Sequence, residues 1–342
     1  MSPLVPSSSI RDVSDEHQNQ DDFDLTSQPN DAFFKAFFAD IRQATKFFQG
    51  HLPEPVASLA VWESLTLVPG SFVKHSLHQA HSDLLFSLKT TGDRELSLYL
   101  LFEHQTSIDP GMPLRLLAYI VEILQKHHRQ FGLPLPPVIA FVLNQGPDRW
   151  TVSQRFEDMF QMSESEAAAL NDYVPKFQHA LLDLTQIDPD KSETDVQLRV
   201  ALQLMKLARE MKLMQFFEWL SAHFDSWMAV LPDPFLRKIL IYALNAENDL
   251  DVETIARTLA NSSHLNKVFM STAEKLIAKG KAEGKAEGKA EGVWIGKVQM
   301  LEEMLGVESS SGESLANLNV GDLESRFYEL QKQYQAKFKA KS

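Results

Sequence analysis

Apolar residues recur along this chain in two rhythms, and the change between them divides it. In DAFFKAFFADIRQATKFFQGHL, residues 31–52, the side chains Phe33, Phe34, Phe37, Phe38, Ile41, Phe47 and Phe48 fall at helical spacing, which predicts a buried aromatic stripe with Asp31 as N-cap. Residues 61–77, VWESLTLVPGSFVKHSL, read as an extended segment, a Pro-Gly turn and another extended segment. HSDLLFSLKTTGDRELSLYLLFEHQ, residues 81–105, follows as two apolar runs joined by a polar connector, the pattern of a hairpin. Residues 114–131 predict a helix stopped by Gly132, and the continuous apolar run 138–143, bounded by Pro and Gly, suits a buried central strand.

Beyond residue 160 the pattern reads as helical throughout: AAALNDYVPKFQHALLDL, VQLRVALQLMKLAREMKLMQFFEWLSAHF, FLRKILIYALNAE and VETIARTLAN. The expected organisation is a disordered acidic tail over 1–28, an α/β domain over 29–185, a linker QIDPDKSETD, a helical region over 196–278 and a helical tail over 297–342. Between the last two, residues 279–296 carry glycines four apart, at 280, 284, 288, 292 and 296. Each glycine costs a helix about 1 kcal/mol relative to alanine. This tract is either a solvated linker or a helix whose glycine stripe packs closely on another helix.

Composition narrows the classes. The chain has 342 residues, 44% hydrophobic and 23% charged, enough for a sizeable core. It has no cysteine, which excludes disulfide scaffolds and thiolate metal sites and fits a reducing cytoplasm. No apolar run reaches the roughly 18 residues of a membrane span, so no membrane partner is expected. The first residues show no basic segment followed by an apolar core, hence no secretory signal. A net charge of −13 argues against a general nucleic-acid coat, yet it leaves room for a carboxylate site that is acidic until a metal binds. G-x-S-x-G and phosphate-loop motifs are absent.

The hairpin carries the candidate chemistry. With its turn centred on Asp93, paired residues sum to about 186, which sets Asp83 opposite Glu103, Leu85 opposite Leu101 and Ser87 opposite Tyr99; the turn is not an Asn-Gly, and a centre shifted by one residue sets Asp83 opposite Phe102 instead. Opposed carboxylates repel unless a cation joins them. A hard ion such as Mg²⁺ or Mn²⁺ takes oxygen ligands, and the His104 backbone carbonyl offers another. Gln105, two residues beyond Glu103, shares its face and is placed to orient a water. Solvated side chains where a sheet meets water give the same residue pattern, and spacing alone does not separate the two readings.

Several stretches resemble the recombination-promoting nucleases of the Rpn family, also called YhgA-like transposases, within the PD-(D/E)XK nuclease superfamily. They are DAFFKAFF, GSFVKHSLHQAHSDLLFSL, LYLLFEHQTSIDPGMPLRLLAYI, VLNQGPDRW with the later FEDMF, and the glycine tract. The resemblance implies a PD-(D/E)XK nuclease-like α/β core, a mixed sheet flanked by helices, followed by an all-α C-terminal region. It implies a Mg²⁺-dependent DNA endonuclease with Asp83 and Glu103 as metal-binding carboxylates. Gln105 stands where many superfamily members have lysine, which weakens the case for full activity. Arg115 and Tyr119, one turn apart on the next helix, resemble the helix-borne polar residues flanking such sites; Arg115 suits either a DNA phosphate or a neighbouring acid. Asn144 departs from the tyrosine frequent in the family. A non-catalytic DNA-binding or protein-interaction module is the rival expectation, with self-assembly through the helical C-terminal region.

Overall fold

The structure, a computed structural model, describes residues 28–69, 84–91, 97–247, 250–307 and 310–339. The tail expected over 1–28 lies outside these residues except for Gln28, as do the segment 70–83 and the hairpin connector 92–96. The chain divides into two compact units, Met1–Phe269 and Met270–Ser342.

The first unit opens with α1 (Pro29–Phe38), α2 (Ile41–His51) and α3 (Glu54–Ala57), and then enters the sheet with β1 (Ala60–Leu67), β2 (Leu84–Thr90) and β3 (Ser97–Gln105). Helix α4 (Met112–Phe131) leads to β4 (Val138–Asn144), and α5 (Glu164–Leu170) precedes β5 (Ala180–Asp183). After α6 (Pro189–Ser192) come α7 (Val196–Arg209), α8 (Leu213–Trp227), α9 (Asp233–Ala246) and α10 (Val252–Thr258). The five strands lie in the order β1-β2-β3-β4-β5. The first two pairings are antiparallel and the last two parallel, so this is a mixed sheet.

The hairpin register is the expected one where it is described: Leu85 faces Leu101 and Ser87 faces Tyr99. The sheet separates two apolar clusters because side chains alternate faces along a strand. One face carries Leu100, Phe102, Phe141 and Leu143 against the aromatic stripe of α1 and α2 and the helices α7 to α10. Phe102 sits among the rings of Phe34, Phe38, Phe47, Phe48 and Phe141, with centroids 4.7 to 5.5 Å away. The other face carries Leu101, Ala140 and Val142 against Met112 and Leu116 of α4. Helices α7 to α10 therefore share one core with the sheet.

Two expectations change. Asp31 is not the N-cap of α1; the helix starts at Pro29, whose missing N–H costs nothing there, and the Asp31 carboxylate turns to His104 instead. The strand pattern also does not end at residue 160, because β5 pairs in parallel with β4 from Phe141↔Ala180 to Asn144↔Asp183. Four residues are too few for periodicity to separate strand from helix.

His179, just before β5, is fully buried, and neither ring nitrogen has a hydrogen-bond partner among the described residues. Burial pushes its pKa down to about 4 from 6.5. Between those values the unfolded chain binds a proton that the folded one refuses, so stability falls as pH drops from 6.5 to about 4 and this group costs nothing above that window. His179→Met should remove an acid-side loss on the order of 3 kcal/mol, read from denaturation midpoints at pH 7 and pH 4.5. An unchanged pH dependence would contradict the buried neutral ring.

Helix α11 (Ser263–Leu305) is continuous for 43 residues through the glycine tract. The second unit adds α12 (Gly312–Ala316) and α13 (Val320–Lys339). Its own core holds Val298, Leu301, Leu305, Leu315, Leu323 and Leu330. Buried Glu302 accepts hydrogen bonds there from the Ser310 backbone N–H and hydroxyl and from Arg326. A Cβ placed on Gly280, Gly284, Gly288, Gly292 or Gly296 would meet nothing within 4 Å. Gly284→Ala and Gly288→Ala should each stabilise the helix by about 0.5–1 kcal/mol, seen as slower amide hydrogen exchange across the tract. Faster exchange would mean that another surface covers the stripe.

Candidate active site

The C-terminal ends of β3, β4 and β5 bring polar side chains together on the α4 face of the sheet. Glu103 and Gln105 share the parity of Leu101 and so lie on that face, and the register sets Gln105 beside Asn144 and Asn144 beside Asp183. His104 points the opposite way and stacks on Phe34 with centroids 4.8 Å apart.

Glu103 is fully buried. Its Oε1 accepts from Gln105 Nε2 at 2.7 Å and from Arg115 Nη2 at 2.8 Å. The same Gln105 nitrogen donates to the His104 carbonyl at 2.9 Å. One small donor atom thus touches both Glu103 Oε1 and His104 O, so these two oxygens converge on a point. Arg115 reaches Glu103 from the first turns of α4, and its Nη1 donates to Asp109 Oδ2 at 2.8 Å. Asp109 also accepts from the Gly111 N–H, which fixes the loop that starts α4. Tyr119, one turn further on, packs partly buried against the apolar cluster under α4. Asp83 lies outside the described residues.

The convergent oxygens are hard donors of the kind Mg²⁺ and Mn²⁺ take. Among the described residues no group of three or more His, Asp or Glu is placed to hold one ion. Glu103 and the His104 carbonyl are the described oxygens whose chemistry and convergence would suit such an ion.

Two side-chain networks brace this edge. On the α4 face, Asn144 Nδ2 donates to Asp148 O and Asp183 Oδ1, while its Oδ1 accepts from Gly146 N. Asp183 also accepts from Trp150 N and from the backbone and hydroxyl of Thr185. A Cβ on Gly146 would lie 3.1 Å from Thr106 O, so glycine lets the loop after β4 press on the end of β3. On the opposite face, His104 Nδ1 lies 2.9 Å from Asp31 Oδ1, and Nε2 lies 2.6 Å from Gln145 Oε1. Gln145 Nε2 donates to Met205 O and the Tyr242 hydroxyl at 2.9 Å each, with Asn30 Oδ1, which accepts from that hydroxyl, 3.1 Å from the same nitrogen. A backbone carbonyl only accepts, and this contact fixes which end of the amide is nitrogen. Burial holds the Tyr242 hydroxyl well above the usual tyrosine range. From the sequence Asp31 reads only as an N-cap, and Asp109, Gln145 and Asp183 are not singled out; of these three, only Asp109, in the Asp-Pro-Gly turn, carries a local signal.

These features define a mixed α/β domain with a buried, hydrogen-bonded carboxylate at the C-terminal edge of its central strand. Residues 28–230 match the family described as "Putative transposase, YhgA-like", and the chain belongs to it. Its relatives in Escherichia coli K12 include the inactive recombination-promoting nuclease-like protein RpnE, 36% identical over 121 residues, 35% of this chain and 40% of RpnE. The recombination-promoting nuclease RpnD of Escherichia coli O157:H7 is 36% identical over 131 residues, 37% of this chain and 50% of RpnD. The recombination-promoting nuclease RpnA of strain K12 is 26% identical over 258 residues, 75% of this chain and 86% of RpnA. This chain thus spans half or less of the length of RpnE and RpnD in those alignments. No solved structure matches. Among the described residues, no helix is long and apolar enough to cross a membrane.

Proposed function

We propose that the protein is a metal-dependent DNA endonuclease of the PD-(D/E)XK type, acting in the cytoplasm on DNA that undergoes recombination. The observation that carries this reading is the convergence of the buried Glu103 carboxylate and the His104 carbonyl on one point at the edge of the sheet. Relatives named recombination-promoting nucleases, RpnD and RpnA, support it. Asp83, Glu103 and the His104 carbonyl would hold Mg²⁺, or Mn²⁺ in its place. Such an ion, when bound, lowers the pKa of a water and neutralises charge developing on a phosphodiester. Gln105, whose amide reaches Glu103 and His104, orients the attacking water with that amide. Glutamine brings no positive charge, so the charge on the phosphate is left to the cation and to Arg115.

The test is nicking of supercoiled plasmid by wild type and by Asp83→Asn in Mg²⁺. The substitution keeps the shape and removes an anionic ligand, so cleavage should drop by orders of magnitude while metal-free DNA binding persists. Equal cleavage by both proteins would sink the assignment of Asp83.

A second reading, a DNA-binding or protein-interaction module of nuclease fold without catalysis, is favoured by two observations. RpnE is named inactive, and Glu103 is engaged by Arg115 and Gln105 rather than open. It predicts DNA binding indifferent to divalent metal and no nicking.

A further inference from the structure

Arg115 holds two carboxylates at once, one sealed in the site and one at its mouth. Glu103 is buried, whereas Asp109 is one-third exposed and the guanidinium itself one-fifth exposed. The oxygen it takes, Glu103 Oε1, is the one that converges with the His104 carbonyl. Its Nε is buried and has no hydrogen-bond acceptor among the described residues. A guanidinium with an unused buried donor has something to gain by moving.

We propose that Arg115 is an internal counter-cation, which occupies Glu103 while the divalent ion is absent and passes to a DNA phosphate when the ion takes the carboxylate. The inference rests on the metal-dependent reading above. A guanidinium and a divalent cation sharing one buried carboxylate repel strongly at such short range, so binding of one weakens the other. Asp109 stays within reach as a second anchor, and Arg115 can leave Glu103 without becoming wholly unpaired. Once released, the planar fork matches two phosphate oxygens, whereas a carboxylate ligand alone would repel the DNA. The exchange would couple metal binding to DNA binding through one side chain.

Titration calorimetry of the full chain with Mn²⁺ separates this from a structural brace. Arg115→Met removes the competitor and should bind Mn²⁺ about tenfold tighter than wild type. Asp109→Asn leaves Arg115 only Glu103 to pair with and should bind it severalfold more weakly. In Ca²⁺, wild type should hold a short DNA duplex more tightly than in chelator, and Arg115→Met should lose that gain. A brace gives the opposite sign: Glu103 misplaced and metal affinity in Arg115→Met equal to or below wild type, a result that overturns the proposal. If circular dichroism shows Arg115→Met unfolded, Arg115→Lys decides. Lysine cannot fork between both acids and should bind Mn²⁺ two- to threefold tighter than wild type; equal or weaker binding overturns the exchange. Absence of Mn²⁺ binding in wild type and every variant would overturn the metal-dependent reading itself, and this inference with it.

Discussion

Glu103→Gln should abolish the proposed DNA cleavage while the fold survives. The replacement keeps the length of the side chain and an oxygen facing Gln105 and Arg115, the two donors that Glu103 Oε1 now accepts from. Stability should therefore change by no more than about 1–2 kcal/mol. The loss falls on chemistry. A neutral amide is a poor ligand for a hard divalent ion, and the rate should drop at least about a hundredfold, the scale seen when a site loses one stabilising charge or donor. Single-turnover cleavage of a labelled duplex, with denaturation curves run alongside, checks both halves. Retained cleavage would remove Glu103 from the mechanism; a collapsed fold would make it a structural carboxylate.

Gln145→Leu should unfold the protein at markedly lower denaturant. The amide serves four partners, His104, Asn30, Met205 and Tyr242, from β3, α1, α7 and α9. Leucine has similar bulk but leaves His104 Nε2 without a partner in a buried place. An orphaned buried polar atom costs about 1–3 kcal/mol, and with the other lost bonds the destabilisation should reach about 2–4 kcal/mol. Pairing it with His104→Phe removes the orphan and keeps a ring against Phe34, so the double variant should be more stable than the sum of the single losses predicts. Unfolding midpoints followed by tryptophan emission give the cycle, and simple additivity would contradict a directly coupled network.

Much of this architecture was legible because strands and helices impose fixed periods. The alternation of the β3 side chains put Glu103 and Gln105 on one face, and the turn centre gave the β2–β3 register although the connector itself lies outside the described residues. The aromatic stripe of α1 and α2 announced its own burial. What sequence did not show was set at long range. Asp31 has the look of an N-cap, yet its partner His104 is 73 residues away. Gln145 follows an apolar strand with no local sign that α7 and α9 will close over it. Strand β5 was hidden because Ala-Leu-Leu-Asp suits a helix as well as a four-residue edge strand. Propensity made the glycine tract marginal as a helix, but α11 is anchored by apolar residues on either side of the tract, including Leu265 and Phe269 before it and Val298 and Leu301 after it.

Whether this carboxylate edge cuts DNA with a divalent ion is read most directly from a plasmid. The purified 342-residue chain incubated with supercoiled plasmid in Mg²⁺ or Mn²⁺ should yield nicked circles, chelator should stop the reaction, and Glu103→Gln prepared in parallel should leave the plasmid supercoiled. Plasmid untouched by wild type in both metals, or nicked equally well by Glu103→Gln, would contradict it.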